Sequence, residues 1–403
     1  MSQIVGEPSF SIGRLPRISF GPGGSARVPE AVARHGKSAL IVTGAASFRR
    51  SPHWPALLEG LSAHDIEHAA VSVSGEPEAM HVDGLIAEFR PRRIDVVVGV
   101  GGGSVLDTAK AIAGLLRTTT SLVDHLEGMP NQAAYPGPAL PWIAVPTTAG
   151  TGSEATRNGT FIVRGEHAAK RSFRDELLVA AEAVVDPDLL VGQSAHGLAA
   201  NGADALTQLI ESYLSLRANR FTDALAIDAL PGVGMALPRW HGAVLDGGDD
   251  PAARAAMSYG ALAGGISLAH AGLGVVHGLI APLSAVIDVP HGAGCGALLV
   301  AGMETNVRAL ESRAPESPAL GKLARLGRLL AGSAGDDAAA RRRLVDWLRA
   351  LVERLNIRGL GSYGLSADLI PGLAASARTS SSMHSNPVEL THEELTKVLR
   401  ESV

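Results

Sequence analysis

Cysteine is almost absent from this chain of 403 residues, because Cys295 is the only one. A single cysteine excludes an internal disulfide framework and fits a reducing compartment. The segment from Met1 to Phe20 also lacks a basic stretch followed by an apolar one, which a secretory signal would need. We therefore expect a cytoplasmic protein.

An excess of basic charge is missing as well. Lys and Arg number 35 against 40 Asp and Glu, so the formal net charge is −5. Such a chain offers no broad attraction to phosphate backbones, and we expect no nucleic-acid partner. The basic run from Arg341 to Arg343 lies in a helical pattern that continues to Leu355, and we interpret it as a solvated helix face.

Long uninterrupted apolar runs are rare. The most apolar stretch, Gly260 to Ile287, is long enough to span a bilayer. However, it contains His270, His277, Pro282 and many glycines. We interpret it as a buried functional helix pair and expect no membrane partner.

The pattern of residue types along the chain changes near residue 187. Before it, short β-type runs alternate with helical segments, which predicts a parallel sheet covered by helices. After Asp186 and Pro187, Ala, Leu and Gly recur with helical periodicity and β-branched runs nearly vanish. Since two domains are expected at this length, we predict an α/β domain over residues 1–190 and an all-helical domain over residues 191–403.

The α/β part can be read in more detail. The predicted strands are Ala39–Thr43, Ile66–Val73, Ile94–Val100, Trp142–Val145 and Leu177–Val185. The predicted helices between them include Pro52–Ser62, Glu78–Phe89 and Ser104–Leu116.

A glycine-rich turn separates the predicted strand Ile94–Val100 from the helix that starts at Ser104. Backbone amides at such a helix N-terminus carry partial positive charge, and glycines let a pyrophosphate approach them closely. The run departs from the common Rossmann pattern because Ser104 replaces its last glycine, so a plain tight turn is the alternative. The cofactor contacts predicted here are Gly101, Gly102, Gly103, Ser104 and Asp107.

A second polar loop, Pro146 to Glu154, follows another predicted buried strand. Its hydroxyls and amides gather at the same carboxyl edge of the sheet, where open α/β sheets bind ligands. Together the two loops favour a dinucleotide site over mere turns. The contacts predicted from this loop are Thr147, Thr148 and Ser153.

These loops and several later motifs resemble the iron-containing alcohol dehydrogenase family. The further motifs are Ile18–Gly23, Ala203–Thr207, His277–Leu279, Pro290–Gly292 and Asn386–Thr391. They occur in order and cover nearly the whole chain. The resemblance implies a Rossmann-like dinucleotide-binding domain, an all-helical C-terminal domain, a cleft between them (the dehydroquinate synthase-like fold) and commonly a homodimer.

The resemblance also implies a divalent metal, iron or zinc, held by an Asp and a His one helical turn apart and by two later His residues. Carried over, the ligands are Asp204, the residue at position 208, His277 and His291. Here Gln208 stands at that position, on the same helix face as Asp204. Its neutral amide oxygen is a weaker donor for iron or zinc than imidazole, so we expect weakened metal binding.

A second departure lies at Ala281, where family members usually carry another His near the substrate. His270, two helical turns before His277, is a candidate catalytic replacement, and a histidine bonded structurally in the helical core is the alternative. Cys295 stands four residues after His291, which permits a role as metal ligand or nucleophile. Because no family motif has a ligand there, we interpret Cys295 as a buried small hydrophobe.

The reaction implied is hydride transfer between NAD or NADP and a small alcohol, aldehyde or ketone, with Asp204, His277 and His291 as catalytic residues. Lys170 is placed near the cofactor by its approximate family position, and a solvated surface lysine is the alternative. Two alternatives stay open: a metal-independent reductase resembling the maleylacetate reductases, and a catalytically silent relative that still binds dinucleotide. Membership among the glycerol dehydrogenase-like or dehydroquinate synthase-like enzymes of the wider superfamily is a further alternative. Leu268, Arg157 and Asn158 are pocket candidates by proximity to the motifs, and they define no substrate.

The end of the predicted strand Ala39–Thr43 bears on the choice of cofactor. NAD-using relatives often carry there an Asp that binds the ribose hydroxyls and repels a 2′-phosphate. Here the residue is Gly44, and Ser47, Arg49 and Arg50 follow it as potential phosphate donors. We therefore predict a preference for NADP, with a permissive site that accepts both cofactors as the alternative.

Overall fold

The structure is a computed structural model, and it describes residues 9–166, 169–332 and 334–403. Its described part contains eight strands: β1 (Arg17–Phe20), β2 (Ser38–Gly44), β3 (Glu67–Val73), β4 (Val96–Gly101), β5 (Trp142–Pro146), β6 (Asn158–Val163), β7 (Ala169–Arg174) and β8 (Glu182–Val185). Six of them form one sheet in the order β1-β8-β5-β4-β2-β3, and every neighbouring pair is parallel. Strands β6 and β7 form a separate antiparallel pair.

Helices cover both faces of the parallel sheet. They are α1 (Val28–Ala33), α2 (Ser47–Arg50), α3 (His53–Ala63), α4 (Ala79–Phe89) and α5 (Gly103–Leu115). Alternate residues of β2 point to opposite faces, as strand geometry requires. Leu40 and Val42 belong to the core that includes residues of α4 and α5, whereas Ala39 and Ile41 belong to the core that includes residues of α1 and α3. Burial on both faces explains why these strands read as continuous apolar runs.

Nine α-helices follow in the part of the chain that the structure describes: α6 (Ala195–Leu214), α7 (Arg220–Leu245), α8 (Pro251–Ala271), α9 (Val275–Leu283), α10 (His291–Arg313), α11 (Pro318–Ala331), α12 (Asp337–Arg354), α13 (Ile370–Ala377) and α14 (His392–Glu401). In the described residues after Val185 there is no strand, which confirms the predicted class of an α/β part followed by a helical part. The transition lies between Val185 and Ala195, and the domain bounds at residues 190 and 191 stay a prediction.

Three of the observed strands were not predicted from the sequence, and a fourth was predicted to be too long. Strand β1 and the β6–β7 hairpin were not predicted. The strand predicted over Leu177–Val185 is wrong in its first half, because the backbone forms a 3-10 turn at Glu176–Leu178. The Asp175 carboxylate accepts a hydrogen bond from the Leu177 amide at 2.8 Å, which favours a turn over a strand there.

The two parts of the chain meet where the loop after β5 rests on α8. Gly152 in that loop has φ of 61°, a left-handed conformation that favours glycine. A Cβ on Gly265 would lie 2.2 Å from the Gly152 carbonyl oxygen, so neither position has room for a side chain. This contact fixes the polar loop of the sheet against the helices.

In the described residues, no single helix is long and apolar enough to cross a membrane. Helices α8 and α9 reach the required length and composition only when taken together, and they are bent by 93° at their junction.

Candidate active site

The glycine turn joins β4 to α5 as predicted. Gly102, the residue immediately before α5, provides no side-chain cap, which leaves the first amides of the helix available to an anionic ligand. Packing requires the glycines: a Cβ on Gly101 would lie 2.5 Å from Val105, and a Cβ on Gly103 would lie 2.7 Å from Thr151. Ser104 follows in the first turn and faces the cleft described below.

The second polar loop lies directly beside this turn. The Thr147 amide donates a hydrogen bond to the Gly101 carbonyl at 3.0 Å. Thr148 is close enough that a Cβ on Gly102 would lie 3.2 Å from its Oγ1. The two loops that the sequence analysis paired are therefore adjacent.

Asp107 holds the second loop in place from α5. Its carboxylate accepts hydrogen bonds from Ser153 Oγ at 2.6 Å and from the Thr160 amide at 2.8 Å. The first bond links α5 to the second loop, and the second bond links α5 to the β6–β7 hairpin. Asp107 and Ser153 therefore fix each other's position. Both lie at the sheet edge that is predicted to bind the cofactor.

Lys110 is a buried residue that the sequence analysis overlooked. Its Nζ donates to the Ser153 carbonyl, to Thr156 Oγ1 and to the Asn158 carbonyl at 2.6 to 3.1 Å. Burial lowers the pKa of Lys110 to about 8, although Asp107 and Glu154 act to raise it. A lysine in the otherwise apolar second half of α5, Ala109–Leu115, was the available signal.

Four potential ligand side chains converge on one point of the helical part. Asp204 of α6, His277 of α9, and His291 and Cys295 of α10 each offer one ligand atom, and these atoms lie within 4.8 Å of one another. Asp204 Oδ1 is 3.3 Å from His277 Nε2 and 3.8 Å from His291 Nε2. Three of the four predicted metal ligands are therefore brought together.

The fourth predicted ligand, Gln208, lies one turn after Asp204 on α6 and lines the same small cavity as His277 and His291. Its side chain is buried, and its Oε1 has no hydrogen-bond partner among the residues that the structure describes. A buried acceptor without a partner is unfavourable by about 1 to 3 kcal/mol. The orphaned oxygen is consistent with a cation or a donor bound in this cavity.

Glu211, one turn beyond Gln208, is a site residue that the sequence analysis missed. Its carboxylate accepts hydrogen bonds from His277 Nδ1 at 2.7 Å and from the Val276 amide at 2.6 Å. It therefore binds the N-terminus of α9 and directs His277 Nε2 towards Asp204. The spacing of seven residues from Asp204 places both carboxylates on one helix face, which was a readable signal.

Cys295 contributes the remaining atom of the cluster. Its Sγ lies 3.8 Å from His277 Nε2 and 3.8 Å from His291 Nε2. The residue is completely buried, as the sequence analysis expected, but its sulfur faces the histidines.

Burial and mutual contacts shift the pKa values of the ionisable groups in this cluster. Burial acts to raise the pKa of Asp204, but the His277 hydrogen bond and the charges of both histidines lower it overall. Burial acts to lower the pKa of His277, yet Cys295, Asp204 and Glu211 raise it well above its usual value. Burial of its ring nitrogens lowers the pKa of His291, and burial raises the pKa of Cys295 to about 11.

A cavity of about 320 Å³ connects the glycine turn to this cluster. It lies between the loops of the sheet and the helices α8, α9 and α10. Its lining includes Gly103, Ser104, Asp107, Lys170, His277 and His291, together with the pocket candidates Arg157, Asn158 and Leu268. Lys170 reaches it from the β6–β7 hairpin, where its Nζ pairs with Glu76 at 2.8 Å.

His270 points elsewhere. Its Nδ1 bonds to the Ile266 carbonyl of the preceding turn at 2.8 Å, and the residue lines a neighbouring cavity with Arg14 and Arg217. This position favours the structural alternative for His270 over a part in catalysis beside His277.

The residues predicted to select the cofactor lie at the end of β2. Gly44 is the last residue of β2, and a Cβ added there would have only Val105 nearby, at 3.9 Å. Ser47 begins α2 and is exposed. Arg49 folds back, with its Nε donating to Thr43 Oγ1 at 2.7 Å and its guanidinium over the Trp54 ring at 5.1 Å.

Comparison with known proteins agrees with this arrangement. "Probable alcohol dehydrogenase EutG" of Escherichia coli (strain K12) is 33% identical over 322 residues, which are 80% of this chain and 76% of that protein. "Alcohol dehydrogenase 4" of Schizosaccharomyces pombe is 31% identical over 400 residues, 98% of this chain and 88% of that protein. A crystal structure of 1,3-propanediol oxidoreductase superimposes with a TM-score of 0.88 at 28% identity, covering 98% of this chain and 100% of the other.

The family matches span both parts of the chain. Residues 16–187 match the family described as "Iron-containing alcohol dehydrogenase", and residues 198–403 match "Fe-containing alcohol dehydrogenase family, C-terminal". The chain belongs to the iron-containing alcohol dehydrogenase family of oxidoreductases.

Proposed function

We propose that this protein interconverts a small alcohol and its aldehyde or ketone by hydride transfer with a nicotinamide cofactor, assisted by a divalent metal. One observation carries the proposal: a single cavity is lined both by the start of α5 and by His277 and His291. The start of α5 would hold the pyrophosphate of a dinucleotide, and the histidines would lie in the same cavity as its nicotinamide.

The residues of the sheet bind and orient the cofactor. The amides of Gly103 and Ser104 bind the pyrophosphate, because they begin a helix whose N-terminal residue supplies no side-chain cap. Asp107 and Lys110 hold the second loop against α5, which keeps Thr147 and Thr148 beside the glycines. Lys170 contributes a positive charge at the cavity wall.

The helical residues fit a divalent metal. In a tetrahedral site with bonds of about 2.0 Å to nitrogen or oxygen, ligand atoms lie roughly 3.3 Å apart. Asp204 Oδ1 and His277 Nε2 are 3.3 Å apart, and Asp204 Oδ1 and His291 Nε2 are 3.8 Å apart. The orphaned Gln208 Oε1 in the same cavity is a further argument for a cation there.

Asp204, His277 and His291 would hold the metal, iron or zinc, and when bound it supplies a Lewis acid that polarises the substrate oxygen. Glu211 fixes His277 by accepting a hydrogen bond from Nδ1, so that Nε2 is the free ligand atom. The apolar residues Leu268, Leu273 and Ala281 line the cavity and limit the water around the reacting carbon.

We propose NADP as the preferred cofactor. The open space at Gly44 leaves room for a 2′-phosphate, and no carboxylate stands there to repel it. Ser47, exposed three residues after Gly44 at the start of α2, offers a hydroxyl donor for that phosphate, whereas Arg49 is held by Thr43 and the Trp54 ring. The proposed assembly is a homodimer, which light scattering on the purified chain tests directly.

The test of function is a panel of small alcohols, including 1,3-propanediol, and the corresponding aldehydes, assayed with both cofactors. The protein is first stripped of metal and then reloaded with iron or zinc. We expect turnover that requires reloading. Equal turnover in stripped protein favours the metal-independent alternative, and cofactor binding without turnover on any substrate favours the silent one.

A further inference from the structure

The metal site lacks a strong fourth ligand, because the neutral amide of Gln208 is a weak donor. The family resemblance places an imidazole at that position, and this chain has none there. Among the described residues, one other side chain presents a ligand atom to both histidines. It is Cys295, whose Sγ is 3.8 Å from His277 Nε2 and 3.8 Å from His291 Nε2.

These separations suit a shared ion. With a bond of about 2.3 Å to sulfur and about 2.0 Å to nitrogen, a tetrahedral ion holds its sulfur and nitrogen ligands roughly 3.5 Å apart. The observed separations exceed that value by a few tenths of an ångström. Asp204 Oδ1 completes the set, and all four atoms lie within 4.8 Å of one another.

Helix spacing makes Cys295 and His291 a chelating pair. They stand four residues apart on α10, so both side chains project from one face, as Asp204 and Gln208 do from α6. Glycine packing holds these two helices close together. A Cβ on Gly292 would lie 2.2 Å from the Ala200 carbonyl of α6, and a Cβ on Gly296 would lie 3.1 Å from Ala203.

Gln208 has a different part in this cavity. It is buried, with 3% of its surface exposed, and its side chain hydrogen-bonds Asp204. Its Oε1 has no partner among the described residues, and Gly264 of α8 leaves the space for it, because a Cβ there would lie 3.2 Å from Oε1. Gln208 therefore supports the Asp204 carboxylate, which leaves the fourth ligand position to Cys295.

We propose that Cys295 is a metal ligand, and that the set Asp204, His277, His291 and Cys295 replaces the family's four-ligand set. The proposal rests on the proposed metal-assisted function. On binding, the thiol releases its proton to solvent and sulfur donates its electron pair to the ion, with no change of oxidation state. Because thiolate is a soft donor, the site favours zinc over iron and binds it more tightly than Gln208 alone would allow.

Binding of cobalt(II) to the stripped full-length protein shows directly whether sulfur is a ligand. A thiolate ligand produces a near-ultraviolet sulfur-to-cobalt charge-transfer band, and Cys295 is the only cysteine that can produce it. We expect the band in the native protein and its loss in Cys295→Ser, with metal affinity lowered by at least tenfold. The matched control is Gln208→Leu on the other chelating pair, which should retain the band.

Two further measurements make the test independent of any one variant. Zinc-edge X-ray absorption of the native protein should detect one sulfur neighbour. The double variant Gln208→His with Cys295→Ala should bind cobalt again without the band.

Cobalt bound to native protein without the band, or zinc without a sulfur neighbour, overturns the proposal and leaves the metal-assisted function intact. A native protein that binds neither ion overturns both.

Discussion

Removing Glu211 is the sharpest perturbation of the site that leaves the four candidate ligands in place. Its buried carboxylate accepts hydrogen bonds from His277 Nδ1 at 2.7 Å and from the amides of Val276 and His277 at 2.6 Å and 3.3 Å. Glu211→Gln retains the size and one oxygen acceptor. It removes the negative charge and places a donor against groups that themselves donate.

The expected effects follow from these contacts. Loss of an outer partner to a ligating histidine lowers metal affinity by about 10-fold to 100-fold, or about 1.4 to 2.7 kcal/mol. The free energy of unfolding of the stripped protein should also fall, by roughly 2 to 4 kcal/mol, because buried donors lose a charged acceptor. Metal binding and folding therefore weaken together.

Two assays separate these effects. Zinc competition with a chromophoric chelator measures affinity, and urea unfolding of the stripped protein measures stability. The control is Glu393→Gln, which removes a carboxylate from the exposed first turn of α14. Unchanged zinc affinity in a folded Glu211→Gln variant would refute the idea that this carboxylate positions His277.

Three other changes have defined outcomes. Gly102→Val should weaken dinucleotide binding by at least about tenfold, because a Cβ there already lies 3.2 Å from Thr148 Oγ1; unaltered affinity by calorimetry in a folded variant would count against the glycine turn as the binding site. Gly44→Asp should lower the ratio of kcat/KM for NADPH to that for NADH by roughly tenfold, and a ratio that stays the same excludes the proposed 2′-phosphate pocket. Burial raises the pKa of Glu154 from 4.5 to about 7, although its own backbone amide and Lys110 act to lower it, so the native protein loses stability as pH rises between those values. Glu154→Gln should therefore gain about 2 to 3 kcal/mol relative to native protein between about pH 5 and about pH 8 in urea unfolding, and parallel pH curves for the two proteins would contradict this.

The sheet could be predicted from the sequence where burial leaves a strong pattern. Strands β2, β4 and β5 are buried on both faces and read as apolar runs with glycine or proline at their ends. The β6–β7 hairpin escaped prediction because β7 contains Lys170, Arg171 and Arg174, whose partners Glu76 and Glu127 come from distant segments. Local sequence does not contain those contacts.

The site was predictable wherever helix spacing sufficed. Asp204 and Gln208 could be placed on one face of α6 because they are four residues apart. Glu211, seven residues after Asp204, could have been placed on that face in the same way. The approach of Cys295 to His277 could not be predicted, because it depends on the close packing of α10 against α6 at Gly292 and on the position of α9. The spacing of His270 from His277 does not put them on one helix face, because the chain turns by 93° between α8 and α9.

In the proposed function, hydride transfer occurs beside a metal held by Asp204, His277 and His291. The experiment that tests this is to titrate stripped protein with zinc while following NADPH oxidation with an aldehyde that the substrate panel identifies. The rate should rise in proportion to bound zinc and saturate at one ion per chain. A rate that is already maximal before zinc is added, or that stays at zero while zinc and NADPH are both bound, would contradict it.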